Sequence, residues 1–242
     1  MTYTRHISDL YKAYKRLIQV ICKTYTKHIK VIIVIGGIKG GSGKTTIATH
    51  LSIMRAQKGL DVLLIDTDDQ ETSFDFSSLR SSSEEKLPEY TCIKLSGKAI
   101  RFEILKMKCK YDDIIIDAGG RDTINQRASL SIADKLIVPF VPRSFDLWTL
   151  EKVSSIINEI QQINPSLHSY TFLNKADSRG DDNEDAQAMM KENDNLTTLP
   201  VIICNRKAFG NAAAEGKAVN ELKILDKKAV MEIDNLYKYI FE

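Results

Sequence analysis

Short apolar runs recur along the chain from position 31 onward, each separated from the next by a stretch long enough to form a helix. The runs are 31–35 VIIVI, 62–65 VLLI, 91–95 TCIKL, 114–116 III, 136–141 LIVPFV, 169–173 SYTFL and 199–204 LPVIIC. Seven strands are expected. The most apolar of them lack the polar alternation of a half-exposed strand, as happens when helices cover both faces of a parallel sheet. The pattern predicts an α/β fold: a doubly wound, mostly parallel sheet with helices on both faces. One helix is delimited at both ends. It begins at Gly43/Lys44, turns Ile47, Leu51 and Met54 toward the core, and stops before Gly59, a residue suited to a left-handed C-terminal cap. Residues 77–86, SSLRSSSEEK, and 177–185, DSRGDDNED, are polar and are expected as surface loops. Near the C-terminus Leu222, Leu225, Ala229, Ile233, Leu236, Tyr237 and Ile240 form an apolar stripe expected to pack into the core.

Residues 1–29 stand apart from this alternation. Ile7, Leu10, Tyr11, Tyr14, Leu17, Ile18 and Ile21 recur at three- and four-residue steps, with Lys12, Lys15, Arg16 and Lys23 between them. A basic amphipathic helical extension is expected over 1–29, followed by one nucleotide-binding domain over 30–242. Charge sharpens the division. Residues 1–30 hold seven Lys and Arg against Asp9 alone, a net of +6, so the remainder is −4 in a chain whose total is +2. The interleaved basic residues do not read as a secretory signal, and no run approaches the roughly 20 apolar residues of a membrane span. Cys22, Cys92, Cys109 and Cys204 show neither CxxC pairing nor metal-ligand spacing, which fits a reducing cytoplasm.

The chemistry is concentrated after the first strand, in Lys39-Gly40-Gly41-Ser42-Gly43-Lys44-Thr45-Thr46. Glycines there let successive backbone N–H groups face phosphate oxygens, and the following helix adds its positive end. Lys44 can reach the β- and γ-phosphates, and the Thr45 hydroxyl can ligate Mg²⁺. This is a nucleoside-triphosphate cradle. In the usual GxxxxGKT pattern the first glycine would fall on Ile38, so the loop is a variant. KGGSGKTT resembles the deviant Walker A motif of the ParA/MinD family of P-loop ATPases. The resemblance spans about residues 30–242 and implies an ATP-bound sandwich homodimer in which each Lys39 reaches the partner's nucleotide.

Carboxylates are expected at neighbouring strand ends, where they can hold Mg²⁺ and align a water with the γ-phosphate. Asp66 and Asp68 follow the second run in DTDDQ, and Asp117 ends the run 114–116 in the manner of Walker B. DTDDQ resembles the family's DxDPQ segment, with Asp69 in place of proline. By that match Asp68 orients the water, while Asp66 and Asp117 serve the metal alongside Thr45. Strand-end aspartates also cap helices, and Asp112 and Asp113 read as charges at a strand edge. Gly119 and Gly120 suit a mobile loop sensing the γ-phosphate, with Arg121 and Asp122 structural or interfacial.

For the base, Asn174-Lys175-Ala176-Asp177 matches the NKxD guanine motif of GTPases, whereas in the ParA-like reading Asn174 contacts adenine and Asp177 begins an acidic loop. ATP is the expected nucleotide, with Asn205, Arg206 and the segment Pro142 to Asp146 near the purine. ParA-type ATPases bind nonspecific DNA when ATP-bound and are stimulated by a centromere-binding adaptor, and the resemblance implies both partners and a role in plasmid or chromosome segregation. Arg206, Lys207, Lys217, Lys223, Lys227 and Lys228 supply charge for phosphate contacts or simply form a solvated helix face. Other readings are a MinD-like positioning ATPase held to membrane, with residues 1–29 the better anchor, and a GTPase switch. Those residues could also dock on the domain or precede the biological start.

Overall fold

The computed structural model describes residues 31–97, 100–120, 123–142, 147–178 and 182–242. The helix expected over 1–29 lies outside the described residues, as do Arg121, Asp122 and 143–146.

The elements run β1 (Val31–Ile35), α1 (Lys44–Gln57), β2 (Val62–Asp66), α2 (Thr72–Ser81), β3 (Thr91–Lys94), α3 (Ile100–Met107), β4 (Asp113–Asp117) and α4 (Ile124–Leu130). They continue with β5 (Lys135–Phe140), α5 (Leu147–Gln161), β6 (His168–Ala176), α6 (Asp182–Lys191), β7 (Thr197–Cys204), α7 (Lys207–Ala214), a 3₁₀ turn at Val219–Glu221 and α8 (Lys227–Phe241). All seven expected strands form. They build one sheet in the order β3-β2-β4-β1-β5-β6-β7, and every neighbouring pair is parallel. β1 lies between β4 and β5, so the winding reverses beside it, where open α/β sheets form a crevice at their strand ends.

Alternate residues of each strand feed opposite faces. Ile32 and Val34 join Leu63, Ile65, Ile114 and Ile116 beneath α3, α4, α5 and α6. Ile33 and Ile35 join Leu64, Ile115, Ile137 and Phe172 beneath α1, α7 and α8. Two-sided burial is why these runs carry no polar alternation. α1 ends where expected: Gly59, at φ +78°, donates its N–H to the Ala56 carbonyl at 2.9 Å.

Both polar stretches expected as loops are partly helical. α2 continues through Ser81 because its polar groups find partners inside the fold. The Arg80 guanidinium is buried against Glu221 at 2.7 and 2.9 Å and donates to the Pro88 and Gly216 carbonyls, while the buried Ser77 hydroxyl donates to the Ser73 carbonyl. α6 takes Glu184 and Asp185 into its first turn, where carboxylates favour the helix dipole, and buries Ala186 and Met190 four residues apart. The C-terminal stripe packs as expected except for Leu225, which is exposed because it precedes the α8 N-cap. There Asp226 accepts the N–H groups of Lys228 and Ala229 at 3.0 and 3.2 Å.

His50 fastens α1 to the C-terminal region. Its Nδ1 lies 2.7 Å from the Thr46 carbonyl, its Nε2 accepts the Val219 N–H at 3.2 Å, and burial drives its pKa down to about 4. The unfolded imidazole gains a proton near pH 6.5, whereas the folded one stays neutral until about pH 4. Stability is therefore lost as pH falls from 6.5 toward 4, by about 3 kcal/mol in all. Urea unfolding at pH 7, 5.5 and 4.5 should show this slope, and His50→Gln should remove most of it.

Candidate nucleotide-binding site

The loop from Gly36 to Gly43 leaves the central strand and turns directly into α1. No side chain caps the α1 N-terminus and its first turn holds no acidic residue, so its first amides are left for an anion. Gly43 has φ +90°, and a Cβ there would stand 2.4 Å from Asn174 Nδ2. Only glycine fits. Lys44 is buried and its Nζ donates to the Lys39 carbonyl at 2.9 Å, which folds the ammonium back over the loop. Burial lowers its pKa, against the opposing pull of Asp117 and Asp68.

Register places the carboxylates. Asp117 ends β4 opposite Ile35 of β1 on one side and Asp66 of β2 on the other. Burial pushes the Asp117 carboxyl up to about 7, with the hydrogen-bonding Thr45 hydroxyl pulling against it. Asp117 Oδ2 is buried without a hydrogen-bond partner. A hydroxyl beside an unsatisfied carboxylate is a hard oxygen set that fits Mg²⁺, an ion that keeps waters and takes the rest of its shell from phosphate oxygens. When bound, Mg²⁺ would supply charge neutralisation at the phosphates, with Thr45 and Asp117 as its protein holders.

Asp66 sits differently. Its Oδ1 accepts the Asp68 N–H and its Oδ2 the Phe74 N–H, both at 3.0 Å, so both oxygens shape the loop between β2 and α2. Asp68 is half-buried, accepts the Gln70 N–H at 3.2 Å and lies against Gly119. It lines a cleft of about 440 Å³ with Gly40, Thr67, Asp69, Gln70, Gly119, Gly120, Thr123 and Asn125. Gly120 closes on the phosphate loop: a Cβ there would come within 2.9 Å of the Gly40 backbone. Asp112 and Asp113 are buried away from this cleft. Asp113 meets Arg55 Nε at 2.5 Å and Asp112 accepts the Asp61 N–H at 3.0 Å.

On the other side of the loop, Gly43, Thr46, Asn174, Lys175, Asn205, Arg206 and Phe209 line a narrower slot between the ends of β6 and β7. Asn174 is buried with its Nδ2 donating to the Ser42 carbonyl at 2.7 Å. Asn205 is exposed and its N–H reaches the Ala176 carbonyl. Arg206 is held by Glu232 of α8, with Nη2 at 2.6 Å and Nε at 3.0 and 3.1 Å from its oxygens, and this pairing raises its pKa. Asp177 lines neither the slot nor the cleft. Lys217 is buried between Glu85 and Glu215 at 3.0 and 3.2 Å, which withdraws it from the expected basic surface, whereas Lys207, Lys223, Lys227 and Lys228 are exposed.

Two residues at the site carry no distinct signal of their own in the sequence. Gln126 of α4 is buried, and with its amide nitrogen facing the Gly37 and Gly119 carbonyls it stands 3.2 Å from each, tying the phosphate loop to the loop after β4. Lys175 reaches the phosphate loop from outside, and only its place within Asn174-Lys175-Ala176-Asp177 could have singled it out.

Residues 33–219 match the CobQ/CobB/MinD/ParA nucleotide binding domain. The chain belongs to that family. Among relatives of this CobQ/CobB/MinD/ParA member, the maintenance of carboxysome distribution protein A of Halothiobacillus neapolitanus is 26% identical over 207 residues, covering 84% of this chain and 92% of the relative. An ATP complex of Cyanothece McdA superposes with a TM-score of 0.72 at 18% identity, over 88% of this chain and 97% of that one. A plasmid partition protein of Borrelia burgdorferi bound to AMPPNP gives 0.66 at 19% identity, over 88% and 98%. These two superpositions establish the shared fold. No helix among the described residues is long and apolar enough to cross a membrane.

Proposed function

We propose that the chain is a Mg²⁺-dependent ATPase that dimerises on ATP, binds DNA without sequence preference, and uses the cycle to distribute a cargo, a plasmid or chromosome, through a centromere-binding adaptor. The observation that carries this reading is the 440 Å³ cleft beside Lys39-Gly40, where Asp68, Gly119 and Gly120 converge on the end of the loop that a γ-phosphate would reach. Such a cleft can change shape when a third phosphate enters, and a second subunit laid across it would bring its own Lys39 to the nucleotide. Lys44 and the loop amides hold the phosphates, Asp68 orients the attacking water, and Thr45 and Asp117 hold Mg²⁺. Asn174 and Asn205 flank the base, with Arg206 held behind them by Glu232. The relatives support the cargo-positioning part of the reading: one carries carboxysome distribution in its name and another plasmid partition.

Lys207, Lys223, Lys227 and Lys228 are the exposed cations offered to DNA. A dimer would present about eight, so affinity for an arbitrary duplex should fall by about 10⁴-fold between 50 and 200 mM salt. Gel-shift titrations with ATP, ADP or GTP test this together with nucleotide choice. ATP alone should support binding, placing the ATPase on the nucleoid in the cytoplasm. Equal binding without nucleotide would remove the DNA switch, and support by GTP would favour the GTPase alternative at Asn174-Lys175-Ala176-Asp177.

A further inference from the structure

We infer that Lys175 is a positioning residue for nucleotide affinity, bracing the apex of the phosphate loop from the side away from the phosphates. The inference rests on the reading of that loop as a nucleotide cradle.

In a regular strand successive side chains point to opposite faces, so Asn174 and Lys175 of β6 could not both address one loop. Here the register between β6 and β7 shifts between Asn174 and Ala176, and Lys175 takes φ +53°, in the left-handed region. Among the described residues only Glu71 shares a positive φ without being glycine. The irregularity lets both neighbours reach the same turn. Asn174 Nδ2 donates to the Ser42 carbonyl at 2.7 Å, and Lys175 Nζ donates to the Gly41 carbonyl at 2.7 Å. Gly43, lacking a Cβ, leaves room for Asn174 and for the Lys175 chain.

The consequence follows from peptide geometry. In a trans peptide the carbonyl of one residue and the N–H of the next point in opposite directions. Holding the Gly41 and Ser42 carbonyls outward therefore aims the Ser42 and Gly43 N–H groups inward, toward the position of the phosphates. Asn174 performs this from a buried position and Lys175 from an exposed one, adding an ammonium charge to a loop that must receive an anion. The contact is to loop backbone common to any nucleotide, so it serves ATP and ADP alike and leaves the hydrolytic step to Asp68.

Calorimetric titration of the full chain with MgATP and MgADP, together with steady-state ATPase kinetics, tests the assignment. Lys175→Ala should raise Kd for both nucleotides about tenfold and raise KM in parallel, with kcat changing less than about twofold. Lys175→Gly, free to adopt φ +53° and so expected to melt no lower than wild type, should show the same loss, while Lys175→Arg should recover affinity to within about threefold. Wild-type affinity in Lys175→Ala, wild-type affinity in Lys175→Gly with loss in Lys175→Ala, or a fall in kcat at unchanged KM would each overturn the inference. If wild type itself binds neither nucleotide, the cradle reading fails instead, which distinguishes the two failures.

Discussion

Lys44→Ala is expected to lose nucleotide binding, with Kd for ATP rising about 10²–10³-fold. The reason is where the ammonium sits. It is buried in the loop, faced by Asp117 and Asp68, and its own hydrogen bond goes to the Lys39 carbonyl. Removing it leaves two acidic groups facing an incoming polyphosphate with no cation between them, and breaking such a buried charge arrangement costs about 3–5 kcal/mol. The empty form should fold, because the hydrogen bond of the Lys44 ammonium stays within its own loop. Circular dichroism and melting of the variant beside titration with MgATP check both halves. A folded variant that binds ATP within tenfold of wild type would show that the loop amides alone hold the phosphates.

Lys39→Ala and Asp68→Ala should fail at different steps although Asp68 lines the cleft and Lys39 directly precedes Gly40, which also lines it. The bond from Lys44 goes to the Lys39 backbone carbonyl, which survives truncation of the Lys39 side chain. Monomeric ATP binding should therefore persist in Lys39→Ala, while the ATP-driven dimer and hydrolysis are lost, since the proposed work of that side chain is done across the interface. Asp68→Ala keeps the loop, Lys44 and Lys39. It should bind ATP and dimerise, hydrolyse about 10²-fold or more slowly for want of an oriented water, and accumulate as the dimer. Sizing each variant with MgATP beside a phosphate-release assay separates the cases. A Lys39→Ala protein that dimerises and turns over like wild type would remove the bridging role.

The parts of this protein legible in its sequence are those set by neighbours along the chain. Runs such as 31–35 and 114–116 declare buried strands by composition alone, and Gly43-Lys44 to Gly59 marks α1 by its two ends. The phosphate loop is equally local: its glycines, Lys44 and Thr45 lie within a few residues of one another, so their joint chemistry needs no fold to bring them together.

Partner choice is not local. Asp66 and Asp117 resemble each other as strand-end acids, yet tertiary packing gives Asp66 two backbone amides and leaves Asp117 an unpaired buried oxygen beside Thr45. Arg206 and Lys217 read as surface charge until Glu232 and Glu85 meet them from 26 and 132 residues away, with neighbouring Glu215 completing the Lys217 pairing. The end of α2 and the start of α6 read as polar loops because the partners that stabilise these helices, Glu221 for Arg80 and the sheet face for Met190, are remote in sequence. Strand order, which sets β1 between β4 and β5 and so assembles the site, rests on pairings between segments up to about a hundred residues apart. The sequence by itself determined which segments are strands and which loop can hold phosphate, because burial pattern and backbone freedom belong to each residue and its neighbours. Only the tertiary structure decided which charges are spent on one another and which remain for a ligand, because ion pairs and hydrogen bonds depend on which groups the fold brings within about 3 Å.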